Sequence, residues 1–535
     1  MKDRVSLTDF LMYHKETHPI SFHMPGHKGR STLYGIYGFG DFIKNVVGND
    51  ITEIPGADAL QQPRERIKDI MEGYAGLYGA KHTELLVNGS SAGLMASILG
   101  SVPRGGKLLM GRNSHRSVYG ALRLGGIDPV YIMPEIDDET GLQLGLDPNK
   151  IEAALIEDPD IKAVLVTSPN YYGVLSDIER IASIVHLHGR ILIVDQAHGA
   201  HLKFFDYLRS EDGLPHRAAE NCGADIVVDS THKTLLSFTG SAILNICTER
   251  PDVSRISELL RMLQTTSPSY LLMGSLDINQ QILRMDGYNL IKNWDADIKY
   301  FYQEAAQIAG LGLIDRIDLD ETKVSITMSA LGLSGPKLAE ELEKRNIWVE
   351  LTHGDYVMLM TGLGNERGDY EDVLSALRDL SAHYGGRIQG MESESSASKT
   401  EPAAQNMAQK QAKNEIQAVA KNETQVANKN ASQPVDKIAE LRTPSSDSAL
   451  IERLEQRKIP DTYEEIPLYS AEGRVLYESI IPYPPGTPIA CPGEVLSKSV
   501  ILYVRDQLVA QHVVLGVDEE GRVKVESDCV LFKEI

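Results

Sequence analysis

The chain has 535 residues, 42% of them hydrophobic, and carries a formal charge of −22. That length exceeds a single compact core and predicts two to four folded units. The acidity argues against nucleic acid as the main partner, because phosphate neutralisation needs a basic face, and leaves open either plain solubility or attraction of a cationic substrate.

No run of about 18 uninterrupted apolar residues occurs, so no membrane span is expected. Met1-Lys2-Asp3-Arg4 leads into a polar segment without an apolar h-region, which predicts a cytoplasmic protein. Cys222, Cys247, Cys491 and Cys529 are far apart and form no C-x-x-C pair; they fit reduced thiols better than a disulfide frame or a zinc site.

In chain order, an N-terminal segment (1–45) precedes a large α/β domain (46–300). Strands are predicted at Glu84 to Val87, Lys107 to Met110, Val130 to Met133, Ala163 to Thr167, Ile191 to Val194 and Ile226 to Val228. Helical spacing occurs between them, as at Ile178 to Leu187. Apolar strands alternating with helices predict an α/β fold with a mostly parallel sheet flanked by helices. A small α/β domain (301–390) follows. The segment 391–445 is rich in Ala, Gln, Lys, Asn, Ser and Glu, and no aromatic residue occurs between Tyr384 and Tyr463. Such a segment buries too little apolar surface to offset chain entropy and is expected to be a flexible linker. A small α+β domain (446–535) is expected to contain a strand at Ser499 to Val504.

In a sheet of this kind ligands sit beyond the carboxyl ends of the strands. After Val87, the Gly89-Ser90-Ser91-Ala92-Gly93 loop feeds a helix: free N–H groups, hydroxyls and a positive dipole end suit a phosphate, although a serine N-cap on a tight turn would look the same. After Met110 comes Asn113-Ser114-His115-Arg116-Ser117, where His115 is either a surface imidazole or a platform for a planar ring. Asp195 ends four apolar residues and needs a cationic or donor partner if buried, or else caps the next loop. His198 and His201 have i, i+3 spacing, but no third ligand cluster is evident and no metal site is predicted. After Val228 comes Ser230-Thr231-His232-Lys233, where a lysine at a strand end could form a Schiff base with an aldehyde cofactor. A phosphate loop, a platform, an acid and a lysine at successive strand ends together describe pyridoxal phosphate.

These residues resemble the Orn/Lys/Arg decarboxylases of fold type I. The resemblance runs through Phe22-His23-Met24-Pro25-Gly26-His27-Lys28, the Gly/Ser loop, the His115 loop, Asp195-Gln196-Ala197-His198-Gly199 and Ser230-Thr231-His232-Lys233. It continues in Thr265-Thr266-Ser267-Pro268 and, near the C-terminus, in Tyr483-Pro484-Pro485-Gly486-Thr487-Pro488 and Pro492-Gly493-Glu494. It implies the aspartate-aminotransferase-like fold, with residues 46–300 binding pyridoxal 5′-phosphate and 446–535 forming a C-terminal decarboxylase domain. Lys233 is implied to carry the cofactor, Asp195 to hold its pyridine nitrogen protonated and His115 to stack on its ring. Ser90, Ser91, Ala92, Ser230 and His232 are implied near the phosphate, and His198 among the catalytic residues. Thr265 and Ser267 are implied to reach a neighbouring subunit's cofactor, making a homodimer the minimal unit. His23, His27 and Glu494 are candidates for the substrate side. Gln196 departs from the commoner Asp-Glu-Ala-His-Gly pattern and puts the local charge in question.

The implied activity is a lyase reaction: decarboxylation of a basic amino acid to its amine and CO2, serving polyamine biosynthesis or acid resistance. Arginine is favoured because the compact form looks most like short bacterial arginine decarboxylases; lysine and ornithine stay open. An aminotransferase or a non-catalytic regulatory protein on the same fold is the alternative.

Overall fold

The computed structural model describes residues 6–397, 454–457, 459–460, 462–483, 486–509 and 513–527. The greater part of the expected linker and Cys529 lie outside them.

Seven strands form the main sheet: β1 (His82–Leu86), β2 (Lys107–Gly111), β3 (Asp128–Ile132), β4 (Ile161–Thr167), β5 (Ile191–Asp195), β6 (Ile226–Asp229) and β7 (Ala242–Ile246). Their order is β1-β7-β6-β5-β4-β2-β3. All pairs are parallel except those of β7, which runs antiparallel to both β1 and β6. The six predicted strands are present, while β7 was not anticipated. Its sequence, Ala-Ile-Leu-Asn-Ile, interrupts the apolar run with Asn245, which is nonetheless buried and bonded to Thr83, Glu220 and Asp229.

Both faces of the sheet are covered, and the side chains divide with period two. Leu108, Met110, Leu165 and Ile193 pack under helices Gly89–Ser101, Arg116–Gly125 and Val253–Leu263. Leu109, Val164, Val166, Leu192 and Val194 pack under helices Pro148–Glu157 and Ile178–Leu187. Gly93 permits close seating of its helix, since a Cβ there would stand 2.6 Å from Leu86 Cδ1 and 3.0 Å from Val228 Cγ1.

The helix Tyr270–Ala305 leads into a four-stranded antiparallel sheet of Gly312–Leu313, Lys323–Thr327, Leu351–His353 and Tyr356–Met360. The N-terminal segment joins this part of the chain, because Ile20–Phe22 pairs in parallel with Ile347–Val349. Helix Arg367–Ala397 closes it and runs past Gly390.

Residues Ser499 to Val504 are helical rather than extended, within Lys498–Val509. The buried positions Val500, Ile501 and Val504 lie on one helical face, which a six-residue apolar run cannot distinguish from a strand. This helix packs with two short antiparallel pairings, Tyr463–Pro467 with Arg522–Glu526 and Ile481–Tyr483 with Val513–Leu515. Among the described residues no helix is long and apolar enough to cross a membrane.

Candidate active site

A cavity of about 320 Å³ opens at the carboxyl ends of β4, β5 and β6 and takes in Ser90, Ser91, His115, Asp195, His198 and Lys233. His232 also lines it. Residues separated by up to 143 positions in sequence thus meet because parallel strands all deliver their following loops to one edge.

The helix carrying the serines starts at Gly89, and its N-cap residue Asn88 makes no side-chain capping bond. Ser90 and Ser91 therefore stand in the first turn, not at the cap. Uncapped N–H groups and hydroxyls at a dipole's positive end face the cavity, which is what an anion requires. Ala92 is buried in the same turn and is not part of the cavity wall.

Asp195 ends β5 and is buried; its Oδ1 accepts the Ala197 N–H at 3.2 Å. Removal from water pushes its carboxyl pKa up, opposed by the charge of Lys233. Lys233 sits in the short helix Thr231–Thr234 after β6, with Nζ 2.9 Å from His198 Nε2. Desolvation pulls the lysine pKa down to about 8, against the raising effect of Asp195 and Glu350. His115 caps helix Arg116–Gly125: its Nδ1 accepts the Ser117 N–H at 3.2 Å. Burial, then the charge of Lys233, lower its pKa to about 3, so the ring is neutral. His232 Nδ1 donates to Ser241 O at 2.6 Å, and burial lowers its pKa to about 4.

The His-Met-Pro-Gly-His-Lys segment is fitted directly onto the Lys233 loop. Gly26 N donates to His232 O at 2.8 Å, and a Cβ at Gly26 would stand 2.3 Å from Leu235 O. Met24 and Pro25 line the cavity, whereas His27 faces a separate pocket beside Arg30 and Trp294. His23 stands edge-on to Trp348 with ring centroids 6.5 Å apart. His201, three residues after His198, is engaged elsewhere, by Asp320 at 3.1 Å and Thr234 at 3.2 Å.

Of the sequence candidates, Ala92, Ser230, His23, His27, Thr265, Ser267 and Glu494 do not line the cavity of their own chain. Thr265 and Ser267 are exposed. Glu494 is buried, with Oε2 accepting from Arg112 Nη2 and from the Cys491 N–H, both at 2.8 Å, so its carboxylate is not presented to the cavity. Conversely, Thr167 and Tyr171 line the cavity and were not singled out. Tyr171 lies edge-on to His198, centroids 4.7 Å apart, and donates to Glu350 at 2.8 Å. The signal was available: Thr167 ends a predicted strand, so the Ser168-Pro169-Asn170-Tyr171 loop belonged with the others.

The residues present fit pyridoxal phosphate. Among the described residues, Thr167 Oγ1 and His198 Nδ1 at the cavity wall are buried without hydrogen-bond partners, a costly arrangement that a polar guest relieves; Ser230 Oγ is likewise unpartnered, near Lys233 in sequence but not in the cavity wall. A buried acid, a lysine of lowered pKa and an uncapped helix N-terminus match a pyridinium, an aldehyde and a phosphate in turn.

The family profile "Orn/Lys/Arg decarboxylase, major domain" matches residues 5–317, and "Orn/Lys/Arg decarboxylase, C-terminal domain" matches residues 447–516. An arginine decarboxylase of Bacillus subtilis is 31% identical over 521 residues, covering 95% of this chain and 94% of the relative. A lysine decarboxylase of Pseudomonas aeruginosa is 22% identical, covering 90% and 73% respectively. The solved structure of the constitutive lysine decarboxylase of E. coli superposes with a TM-score of 0.66 at 20% identity, covering 97% of this chain and 81% of that one, and so shares its fold. With matches to both domains and near full-length similarity, the chain belongs to the Orn/Lys/Arg decarboxylase family, pyridoxal-phosphate-dependent enzymes of the aspartate-aminotransferase fold.

Proposed function

We propose that the chain decarboxylates arginine, with Lys233 as the residue that holds the cofactor. The observation that carries the reading is the convergence of Lys233, Asp195, His115 and His198 in one cavity. Arginine is favoured over lysine by the higher identity to the Bacillus arginine decarboxylase and its matching length.

Pyridoxal phosphate, when bound, supplies an aldehyde for the substrate amine and a ring that accepts the electrons of the broken Cα–carboxylate bond. Lys233, with its pKa near 8, offers an appreciable neutral fraction at physiological pH, as a nucleophilic amine must. Asp195 pairs with a protonated ring nitrogen, whose charge offsets the cost of burying the carboxylate. His115 gives the ring an uncharged flat neighbour. Ser90, Ser91, Ser230, His232 and the helix N-terminus hold the phosphate. His198, against Lys233 Nζ, holds that amine in place and exchanges protons with it.

The exposure of Thr265 and Ser267 supports the reading that they serve the cofactor of a second copy, with a homodimer as the unit of activity. Free thiols at Cys222, Cys247 and Cys491 accord with a cytoplasmic setting.

The Lys233→Ala variant tests the assignment. It is expected to lose both the visible absorbance of the lysine-bound cofactor and CO2 release; an unchanged absorbance band would move the attachment site to another lysine.

A further inference from the structure

The His115 loop is held from behind by the C-terminal domain. Arg112, three residues before His115, is buried, and both terminal nitrogens of its guanidinium are engaged. Its Nη1 donates to Pro488 O at 2.8 Å and to Tyr119 Oη at 2.9 Å, and its Nη2 to Ile489 O at 3.3 Å and to Glu494 Oε2 at 2.8 Å. The side chains of Arg112 and Glu494 are 4% and 3% exposed, so the pair is closed to solvent. The guanidinium carbon also stands 5.5 Å from the ring centroids of both Tyr119 and Tyr131.

A second contact lies on the other side of His115: Arg116 N donates to Gly486 O at 3.3 Å. Between these contacts, Thr487 reaches the cavity wall. The loop that carries His115 is therefore gripped at Arg112 and Arg116 by residues 486–494, and the gripping segment itself enters the cavity. A buried ion pair is weak evidence for stability in its own right, because desolvation offsets much of the attraction, but with further hydrogen bonds to the same group it fixes geometry. Here three donor contacts from one planar group, to Pro488, Ile489 and Glu494, set the orientation of the docked domain, while the fourth, to Tyr119, ties the guanidinium to its own domain.

We propose that Arg112 is a positioning residue for the cofactor cavity: its buried pair with Glu494 docks the C-terminal domain onto the His115 loop and brings Thr487 to the cavity wall. The inference rests on the reading that His115 faces the cofactor.

The test is titration of full-length apoprotein with pyridoxal 5′-phosphate, read as apparent dissociation constant and as visible circular dichroism of the bound cofactor. Arg112→Met is expected to weaken binding roughly tenfold or more and to reduce the visible dichroism while far-ultraviolet dichroism is kept, since one buried charge is left without its partner. Arg112→Lys restores part of the signal. Glu494→Gln keeps an acceptor for the Cys491 N–H, shifts both readouts the same way by less, and decides the matter if Arg112→Met does not fold. Wild-type affinity and dichroism in folded Arg112→Met, or in Glu494→Gln should that variant be the arbiter, would overturn the proposal. His115→Ala is measured alongside: a change there without one in the Arg112 and Glu494 variants overturns only the coupling, while no change in any variant overturns the His115 reading as well. Neither readout involves an amino-acid substrate, so failure of the arginine assignment leaves the result intact.

Discussion

Lys233 Nζ lies 2.9 Å from Nε2 of the buried His198, and both side chains are held in a site that disfavours positive charge. Desolvation lowers the Lys233 pKa to about 8, so the reactive neutral amine increases as pH rises toward that value. The rate of cofactor capture by apoprotein should therefore climb about tenfold per pH unit well below pH 8 and level off above it. Stopped-flow absorbance at a series of pH values checks this. A rate that keeps rising to pH 10 would mean an ordinary, unperturbed lysine.

Asp195→Asn tests the electronic role of the acid. An amide of the same shape keeps the acceptor for the Ala197 N–H but cannot stabilise a protonated ring nitrogen. The variant is expected to bind the cofactor and to lose roughly 10²–10³-fold in turnover number, the scale for losing one preorganised electrostatic group. Near wild-type turnover would contradict the assignment.

Gly26→Ala tests whether the N-terminal segment is part of the Lys233 loop's support. A Cβ would stand 2.3 Å from Leu235 O and 2.4 Å from Thr234 C, both backbone atoms that cannot swing aside. The expected loss is about 1–3 kcal/mol of stability, typical of overpacking, together with weaker cofactor binding. Thermal unfolding with and without cofactor measures both, and an unchanged melting temperature would show that the segment yields.

Acid should destabilise the apoprotein in a definite window. His27 and His232 have pKa values lowered to about 4 by burial, and His115 to about 3, against an unfolded value of 6.5. Below 6.5 the unfolded chain binds more protons than the folded one, so stability falls as pH drops from 6.5 toward 4 and the loss is complete below the folded values. At the acid end His27 and His232 each account for a loss of about 3 kcal/mol and His115 for about 5 kcal/mol. Replacing His27 by Gln should flatten part of the dependence in denaturant titrations; an unaltered slope would show that other groups control it.

The site was legible wherever a chemically marked residue followed a recognisable strand. Asp195, Lys233, His115 and the Ser90-Ser91 turn all stand at such ends, and the sheet gathers them. Thr167 and Tyr171 also follow a predicted strand, but threonine and tyrosine carry no special mark until their neighbours are known. Strand β7 was hidden by the polar Asn245, whose burial depends on Thr83, Glu220 and Asp229 elsewhere in the chain. The Ser499–Val504 helix was hidden for the opposite reason, because a short apolar run fits either period. Glu494 shows the limit for charged residues: its motif was visible, but its buried partner Arg112 lies 382 positions away.

The most direct test of the central claim is amine and CO2 release by the purified protein with pyridoxal phosphate, offered arginine, lysine and ornithine separately. The account predicts turnover on all or some of these basic amino acids, with kcat/KM highest for arginine. Silence on all three, with the cofactor demonstrably bound at Lys233, would contradict it.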